Sequence, residues 1–169
     1  MVDKEAYEAR FKELEKEGSI RFSTDHYKIK QFMDKADASL LIASHLKKQS
    51  KEPERLYWLQ WTITLSYYSM LYSAKAAILQ KNHEVKTHDA AEIALGHLLI
   101  PSQLKKEDLE TLQQAHKIFE DEYLKSFHET RKESQAARYH ARPSYTQRQA
   151  EEIFEKARKF IEKIHEILA

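Results

Sequence analysis

Ten residues near the C-terminus, RKESQAARYH at positions 131–140, bring together side chains that can act on a phosphodiester. Metal-independent cleavage of RNA needs a group that transfers a proton near neutral pH, for which histidine is suited, and a cation that stabilises charge on the phosphate. His140 with Arg131 or Arg138 supplies these residue types, and Tyr139 can stack on a base or donate to phosphate. These four residues are therefore the catalytic and binding candidates of this stretch.

The charge around this stretch differs from that of the whole chain. Residues 125–148 hold six Lys/Arg and two acids, a local charge of +4, whereas all 169 residues sum to +1. Phosphate is expected to collect there, with Lys132 and Arg142 as further contacts. The alternative is that Arg131 and Arg138, seven positions apart and so on one helix face, are only solvated. In that case Tyr139 packs at the end of the helices.

A second candidate binding site is the tripeptide Lys86, Thr87, His88, which precedes a short predicted helix. Free backbone N–H groups and the positive end of the helix dipole favour an anion there. The alternative is a threonine cap with incidental charges beside it. Three tyrosines of the preceding helix, Tyr67, Tyr68 and Tyr72, are interpreted as core residues rather than base-stacking groups.

Several classes of site are absent from the sequence. The chain has no cysteine, no HExxH pair, no P-loop and neither GxGxxG nor GxSxG, so we expect no metal and no cofactor. The N-terminal residues alternate charged and apolar types without the apolar run of a signal peptide. We therefore expect a cytoplasmic protein that does not bind a membrane.

The number and positions of the glycines and prolines predict an all-α fold. Only two glycines and three prolines occur, and four of these five fall between segments of helical periodicity. Candidate N-caps are Ser23, Thr24 and Asp25, and two capping boxes are predicted at Asp89/Glu92 and Thr146/Gln149. Helices are predicted at about 3–17, from the caps at 23–25 to 49, at 54–82, 89–99 and 105–139, and after 146. The last of them carries an apolar stripe of Ile153, Phe154, Ala157, Phe160, Ile161, Ile164 and Leu168.

The third of these helices is predicted to be central. It carries no charged residue between Leu56 and Ala74, yet its hydroxyl groups and tyrosines argue against a membrane span. A helix that is apolar on nearly every side must be surrounded by others. The expected architecture is an up-and-down bundle of four to five principal helices over residues 25–169, after a short N-terminal helical extension over 1–24.

The end of that central helix and its exit loop resemble a known family. The stretch SYYSMLYSAKAAILQKNHEVKTH is similar to small prokaryotic members of the HEPN family (higher eukaryotes and prokaryotes nucleotide-binding). MDKADASLLIASHL resembles the first core helix of the family, and AARYH with QAEEIFEKARKFIEKI resembles its closing elements, so the likeness runs from about residue 30 to 167. The matching positions are Ser66, Tyr67, Tyr68, Met70, Ala74, Ala77, Leu79, Lys86, Thr87 and His88.

The resemblance implies a helical bundle that usually forms a homodimer. Many members are ribonucleases, often toxins of toxin–antitoxin pairs held in check by a minimal nucleotidyltransferase, and others bind nucleotides without cutting. The nuclease signature is Arg, four to six residues, then His. Here Arg131 and His140 have eight residues between them and Arg138 and His140 have one, so the motif is altered. The literal spacing in RKFIEKIH, Arg158 to His165, is discounted because it lies in another element.

Two functions remain open on this basis. The first is a HEPN-type protein that binds RNA or a nucleotide, with metal-independent endoribonuclease action as its catalytic form. The second is a non-catalytic interaction module, or a substrate-binding subunit, that pairs with a minimal nucleotidyltransferase.

Overall fold

The protein is mostly helical, which confirms the predicted fold class. The computed structural model describes residues 4–48, 55–132 and 146–169, with side chains described except at 55–57 and 122–132. The predicted turn SKEPE around Pro53 and the turn ARPSY lie outside the described residues. The elements are α1 (Lys4–Lys16), β1 (Ile20–Phe22), α2 (Tyr27–Lys47), α3 (Arg55–Gln80), β2 (His83–Val85), α4 (His88–Leu99), α5 (Lys106–Lys132) and α6 (Gln147–Leu168).

Helix α3 is the central element, as its lack of charge predicts. It contacts α2, α4, α5, α6 and β2. Its buried hydroxyl groups are satisfied within the helix, since Ser66 Oγ donates to the carbonyl of Thr62 and Ser73 Oγ donates to that of Met70. These hydrogen bonds offset the cost of removing the hydroxyl groups from water. No described helix is both long and apolar enough to cross a membrane.

Helix α6 follows the sequence prediction closely. Thr146 accepts from the backbone N–H of Gln149, and the side chain of Gln149 accepts from the backbone N–H of Thr146, so the predicted capping box is confirmed. The predicted apolar stripe faces α3 and the core. Its buried members are Ile153, Phe154, Ala157, Phe160, Ile161 and Ile164.

Two other predicted caps are wrong. Helix α2 begins at Tyr27 with His26 in the N-cap position and no side-chain cap bond, and Ser23 Oγ accepts instead from the N–H of Asp25. At α4 the cap is Thr87, whose Oγ1 accepts from the N–H of Ala90 at 3.1 Å, rather than the predicted Asp89/Glu92 box. In both cases several Ser, Thr and Asp residues lie near the helix start, and only the backbone path decides which one caps.

A two-stranded antiparallel sheet is the element that the sequence did not predict. Ile20 pairs with Val85 and Phe22 with His83, so β2 lies in the loop predicted between α3 and α4. The turns that enter the strands use left-handed backbone at Gly18 (φ 74°) and Asn82 (φ 61°). Three-residue strands are too short to show an alternating pattern.

Helix α1 packs into the same core as the bundle. Phe11 and Leu14 are 5% and 2% exposed. The helix approaches α4 closely at Gly96, where an added Cβ would lie 2.3 Å from Cε1 of Tyr7. The N-terminal segment is therefore fixed to α4 by buried apolar contacts and to β2 by backbone pairing.

Candidate functional site

The start of α4 is an exposed helix terminus that carries two of the three predicted binding residues at its surface. Lys86 and Thr87 are exposed, and His88 is half-buried as the first helical residue. The backbone N–H of Lys86 donates to the carbonyl of Ser19, and its Nζ lies 4.0 Å from the position of a Cβ built on Gly18. The ammonium group of Lys86 is thus directed towards the turn between α1 and β1.

His88 belongs to a hydrogen-bonded network that joins α3, α4 and α5. Its Nδ1 lies 2.8 Å from the hydroxyl of Tyr67 and 3.3 Å from Nε2 of His116. The other ring nitrogen of His116 lies 2.5 Å from a carboxylate oxygen of Glu92, and its Nε2 also lies 3.3 Å from Glu120. We call Tyr67, His88, Glu92, His116 and Glu120 the histidine network.

Burial shifts the pKa values of three members of this network. It raises the pKa of the Tyr67 phenol well above its ordinary value, so the hydroxyl stays a donor. Burial, with smaller electrostatic effects of His116 and Lys75, lowers the pKa of His88 and favours the neutral ring. A neutral ring has a single acceptor nitrogen, so Nδ1 of His88 can accept from Tyr67 or from His116 but not from both. Burial also raises the pKa of Glu92.

Aromatic rings hold the network in place. The ring of Tyr67 stacks with those of His116 (5.4 Å between centroids, 4° between planes) and Phe119 (5.1 Å, 24°). Tyr67 is 1% exposed, which confirms its assignment to the core. Tyr68 packs edge-on to His88 and Phe119 but remains partly exposed.

Two lysines lie next to this aromatic group. Lys75 is half-buried, and burial lowers the pKa of its ammonium group. Lys35 of α2 places Nζ 5.6 Å from the ring centroid of Tyr72, within the range of a cation–π contact. Glu84, which raises the pKa of Lys75 and so acts against the effect of burial, already binds Arg21 and Lys28.

The basic candidate stretch begins in the last turn of α5. Arg131 and Lys132 are its last helical residues, and their side chains are not described. Arg138, Tyr139, His140 and Arg142 lie outside the described residues. His116 and Arg131 are separated by about 22 Å along the axis of α5 at about 1.5 Å per residue, so Arg131 lies far from the histidine network along this helix.

The discounted Arg/His pair of α6 is engaged in ion pairs. The guanidinium group of Arg158 binds Glu155 and Glu162, and Nε2 of His165 lies 3.0 Å from a carboxylate oxygen of Asp37. The literal motif spacing therefore falls on an ordinary charged helix surface.

Sequence reasoning missed Glu92, His116 and Glu120. The available signal was the repeated His-x-x-x-Glu spacing, which puts His88 with Glu92 and His116 with Glu120 on single helix faces. Only the packing of α4 against α5 joins the two pairs. In the part of the chain that the structure describes, no group of three or more His, Asp or Glu side chains is arranged to hold a metal ion.

Comparison with known proteins identifies the family of most of the chain. The family model described as HEPN domain matches residues 29–167. The match runs from the first turn of α2 to the last turn of α6 and leaves α1 and β1 outside. None of the curated proteins compared with the chain matches it.

Proposed function

Because the chain belongs to the HEPN family, we propose that it binds RNA or a nucleotide through the basic end of α5. The observation that carries this proposal is the local charge of +4 over residues 125–148, inside the family segment of a chain whose net charge is only +1. Neutralised phosphates dominate the affinity of such surfaces. Lys132, Tyr139 and Arg142 are the proposed contacts.

The catalytic form of the proposal is a metal-independent endoribonuclease, acting as the toxin of a toxin–antitoxin pair. His140 takes the proton of the 2′-OH or returns one to the leaving 5′ oxygen, and Arg131 and Arg138 stabilise charge on the phosphate. The attacking 2′ oxygen bonds to phosphorus as the bond to the 5′ oxygen breaks. A homodimer supplies the cleft in which Arg138 of one chain approaches His140 of the other.

The test is cleavage of a mixed RNA pool by the purified protein with metal chelated. Cutting is expected from the wild type and not from a folded Arg138→Ala/His140→Ala variant. The matched control is Arg158→Ala/His165→Ala, which removes the same residue types from α6 and is expected to cut normally. An absence of cutting at all protein concentrations would contradict the nuclease form, and salt-dependent RNA binding that is unchanged in a Lys132→Gln/Arg142→Gln variant would contradict the binding site.

A non-catalytic interaction module is the second candidate. Its support is the exposure of three large apolar side chains on α2 and α3, namely Leu41 (61%), Ile42 (50%) and Trp61 (55%), since apolar surface of this kind is covered in partner interfaces. In this form the chain pairs with itself or with a minimal nucleotidyltransferase. Sedimentation of the wild type beside Trp61→Gln tests pairing of the chain with itself. The expected result is a wild-type dimer that becomes a monomer in the variant, whereas a wild-type protein that is already a monomer opposes this form.

A substrate-binding subunit for nucleotide transfer is the remaining form of the second candidate. It is supported by the exposed start of α4, where Thr87 caps the helix beside Lys86 and the half-buried His88. Titration calorimetry with ATP should then show binding that falls in Lys86→Ala/His88→Ala and persists in Arg138→Ala/His140→Ala. The reverse ranking would contradict this form.

A further inference from the structure

One face of α3 is left partly open by the surrounding helices. Trp61, Leu65, Tyr68, Tyr72 and Lys75 follow one another at intervals of four, three, four and three residues, which places them in one line along the helix. All five are exposed or half-exposed, whereas most of the α3 residues between them are buried. We call these five residues the α3 stripe. Its composition is mostly aromatic, with a cation at the end nearest α4.

The spacing of the two tyrosines of the stripe suits two separate bases of one nucleic-acid strand. The ring centroids of Tyr68 and Tyr72 lie 6.1 Å apart, with 31° between the ring planes. Neighbouring bases of a stacked strand lie about 3.4 Å apart. A strand that places one base on each tyrosine must therefore have those bases unstacked from each other, which is possible in a single strand and not in a duplex.

The charges beside the stripe suit a phosphate backbone. Lys35 lies over the ring of Tyr72, and Lys75 follows one turn later on the same face. The acid that acts on Lys75, Glu84, is held by Arg21 and Lys28. The carboxylate of Glu120, on the α5 side, lies beside His116. Among the described side chains, Lys35 and Lys75 are thus the cations that this face offers to a ligand.

We propose that the α3 stripe binds single-stranded RNA, with successive bases on Tyr68 and Tyr72 and phosphates on Lys35 and Lys75. The inference rests on the proposed function, because the strand on the stripe is taken to be part of the same RNA that contacts the basic end of α5. It also specifies the substrate class, because a site of this spacing selects unpaired nucleotides. Sequence selectivity is expected to be weak, since every base has a π face.

The experiment measures binding of a labelled 2′-O-methyl oligouridylate, which lacks the 2′-OH nucleophile and so stays intact, beside a fully paired RNA of equal length. Tyr68→Leu/Tyr72→Leu keeps the apolar bulk and removes both π faces. Loss of two stacked bases is expected to weaken binding of the oligouridylate by at least about thirtyfold and to leave binding of the duplex unchanged. The matched control is Tyr27→Leu/Lys12→Gln, which removes an exposed tyrosine and a lysine away from the stripe.

A second variant keeps the test valid if the tyrosine variant does not fold. Lys75→Gln removes one phosphate contact, and the slope of log affinity against log salt is expected to fall in magnitude by about 0.7, the value for one phosphate of a single strand. An unchanged slope would overturn the lysine contact.

The outcomes separate this inference from the proposed function. Oligouridylate binding that survives in the folded tyrosine variant but is lost in Lys132→Gln/Arg142→Gln overturns the α3 stripe alone. Loss in the tyrosine variant with retention in Lys132→Gln/Arg142→Gln supports the stripe and overturns the basic end. A tyrosine variant with unchanged RNA affinity and an altered mass in solution overturns the inference and assigns the face to a second copy of the chain. No binding by the wild type at low salt overturns both.

Discussion

Replacing Gly96 by alanine should destabilise the protein through the contact between α4 and α1. The added methyl carbon would lie 2.3 Å and 2.5 Å from two ring carbons of Tyr7 and 3.2 Å from Cδ2 of Leu109. Carbon atoms in packed interiors prefer separations of about 3.5–4.0 Å, so the tyrosine ring must move by more than 1 Å. Tyr7 packs against the core, and its hydroxyl accepts from Gln113, so that movement disturbs both contacts.

The magnitude follows from two opposing terms. Overpacking of this kind costs about 1–3 kcal/mol, whereas replacing glycine by alanine within a helix gains about 1 kcal/mol. The expected result for Gly96→Ala is a net loss of about 1 kcal/mol in the free energy of unfolding. In a chain of this size that corresponds to a decrease of about 2–4 °C in Tm.

A double-mutant cycle with Tyr7→Ala tests the reasoning directly. Without the tyrosine ring the clash is removed, so Gly96→Ala should become stabilising by about 0.5–1 kcal/mol in that background. Urea unfolding followed by circular dichroism gives the four free energies. An equal effect of Gly96→Ala in both backgrounds would refute the proposed collision, and so would a stabilising effect in the wild-type background.

Two further predictions concern the histidine network and α6. The pKa of His88 is held below its ordinary 6.5, chiefly by burial, so as pH falls through about 6.5 the unfolded chain binds a proton that the folded chain does not, and stability decreases. Between pH 7 and pH 5, the free energy of urea unfolding should decrease less for His88→Gln than for the wild type, and His45→Gln, which removes an exposed histidine, is the control. Glu92, whose pKa is raised, stabilises the fold as pH falls towards 4.5, but it is present in all three proteins and so does not affect the comparison. Thr146→Ala should cost about 0.5–2 kcal/mol by removing the capping box, and Gln149→Ala should add little in that background, since the two caps are reciprocal. Full additivity of the two changes in thermal melts would show that they act independently.

The sequence was sufficient for features that are encoded locally. The charge-free run in α3, the apolar stripe of α6 and the Thr146/Gln149 capping box each depend on residues within a few turns, and the structure confirms all three. The predicted caps of α2 and α4 are wrong because several Ser, Thr and Asp residues lie within four positions at each helix start. The path of the backbone decides which of them can cap the helix.

The sequence was insufficient wherever distant segments meet. The pairing of β1 with β2 joins residues more than sixty positions apart, and nothing in either tripeptide specifies its partner. The bond between Glu92 and His116 likewise depends on the packing of α4 against α5. Tyr67 and Tyr68 are adjacent in sequence, yet one is buried among rings and the other is partly open, because successive residues of a helix point about 100° apart and the neighbouring helices enclose only the Tyr67 side.

The pairing of β1 with β2 couples local unfolding of the N-terminal segment to that of the start of α4. Opening of α1 would expose Phe11 and Leu14 and would release β1, the strand that follows α1. β2, which pairs with β1 and leads directly into α4, would then lose its partner. Elements joined in this way are expected to open as one cooperative unit rather than to fray singly. Amide exchange in α1 and in the first turn of α4 should therefore share one protection factor, and a ligand held at His88 would slow exchange at a helix outside the family segment.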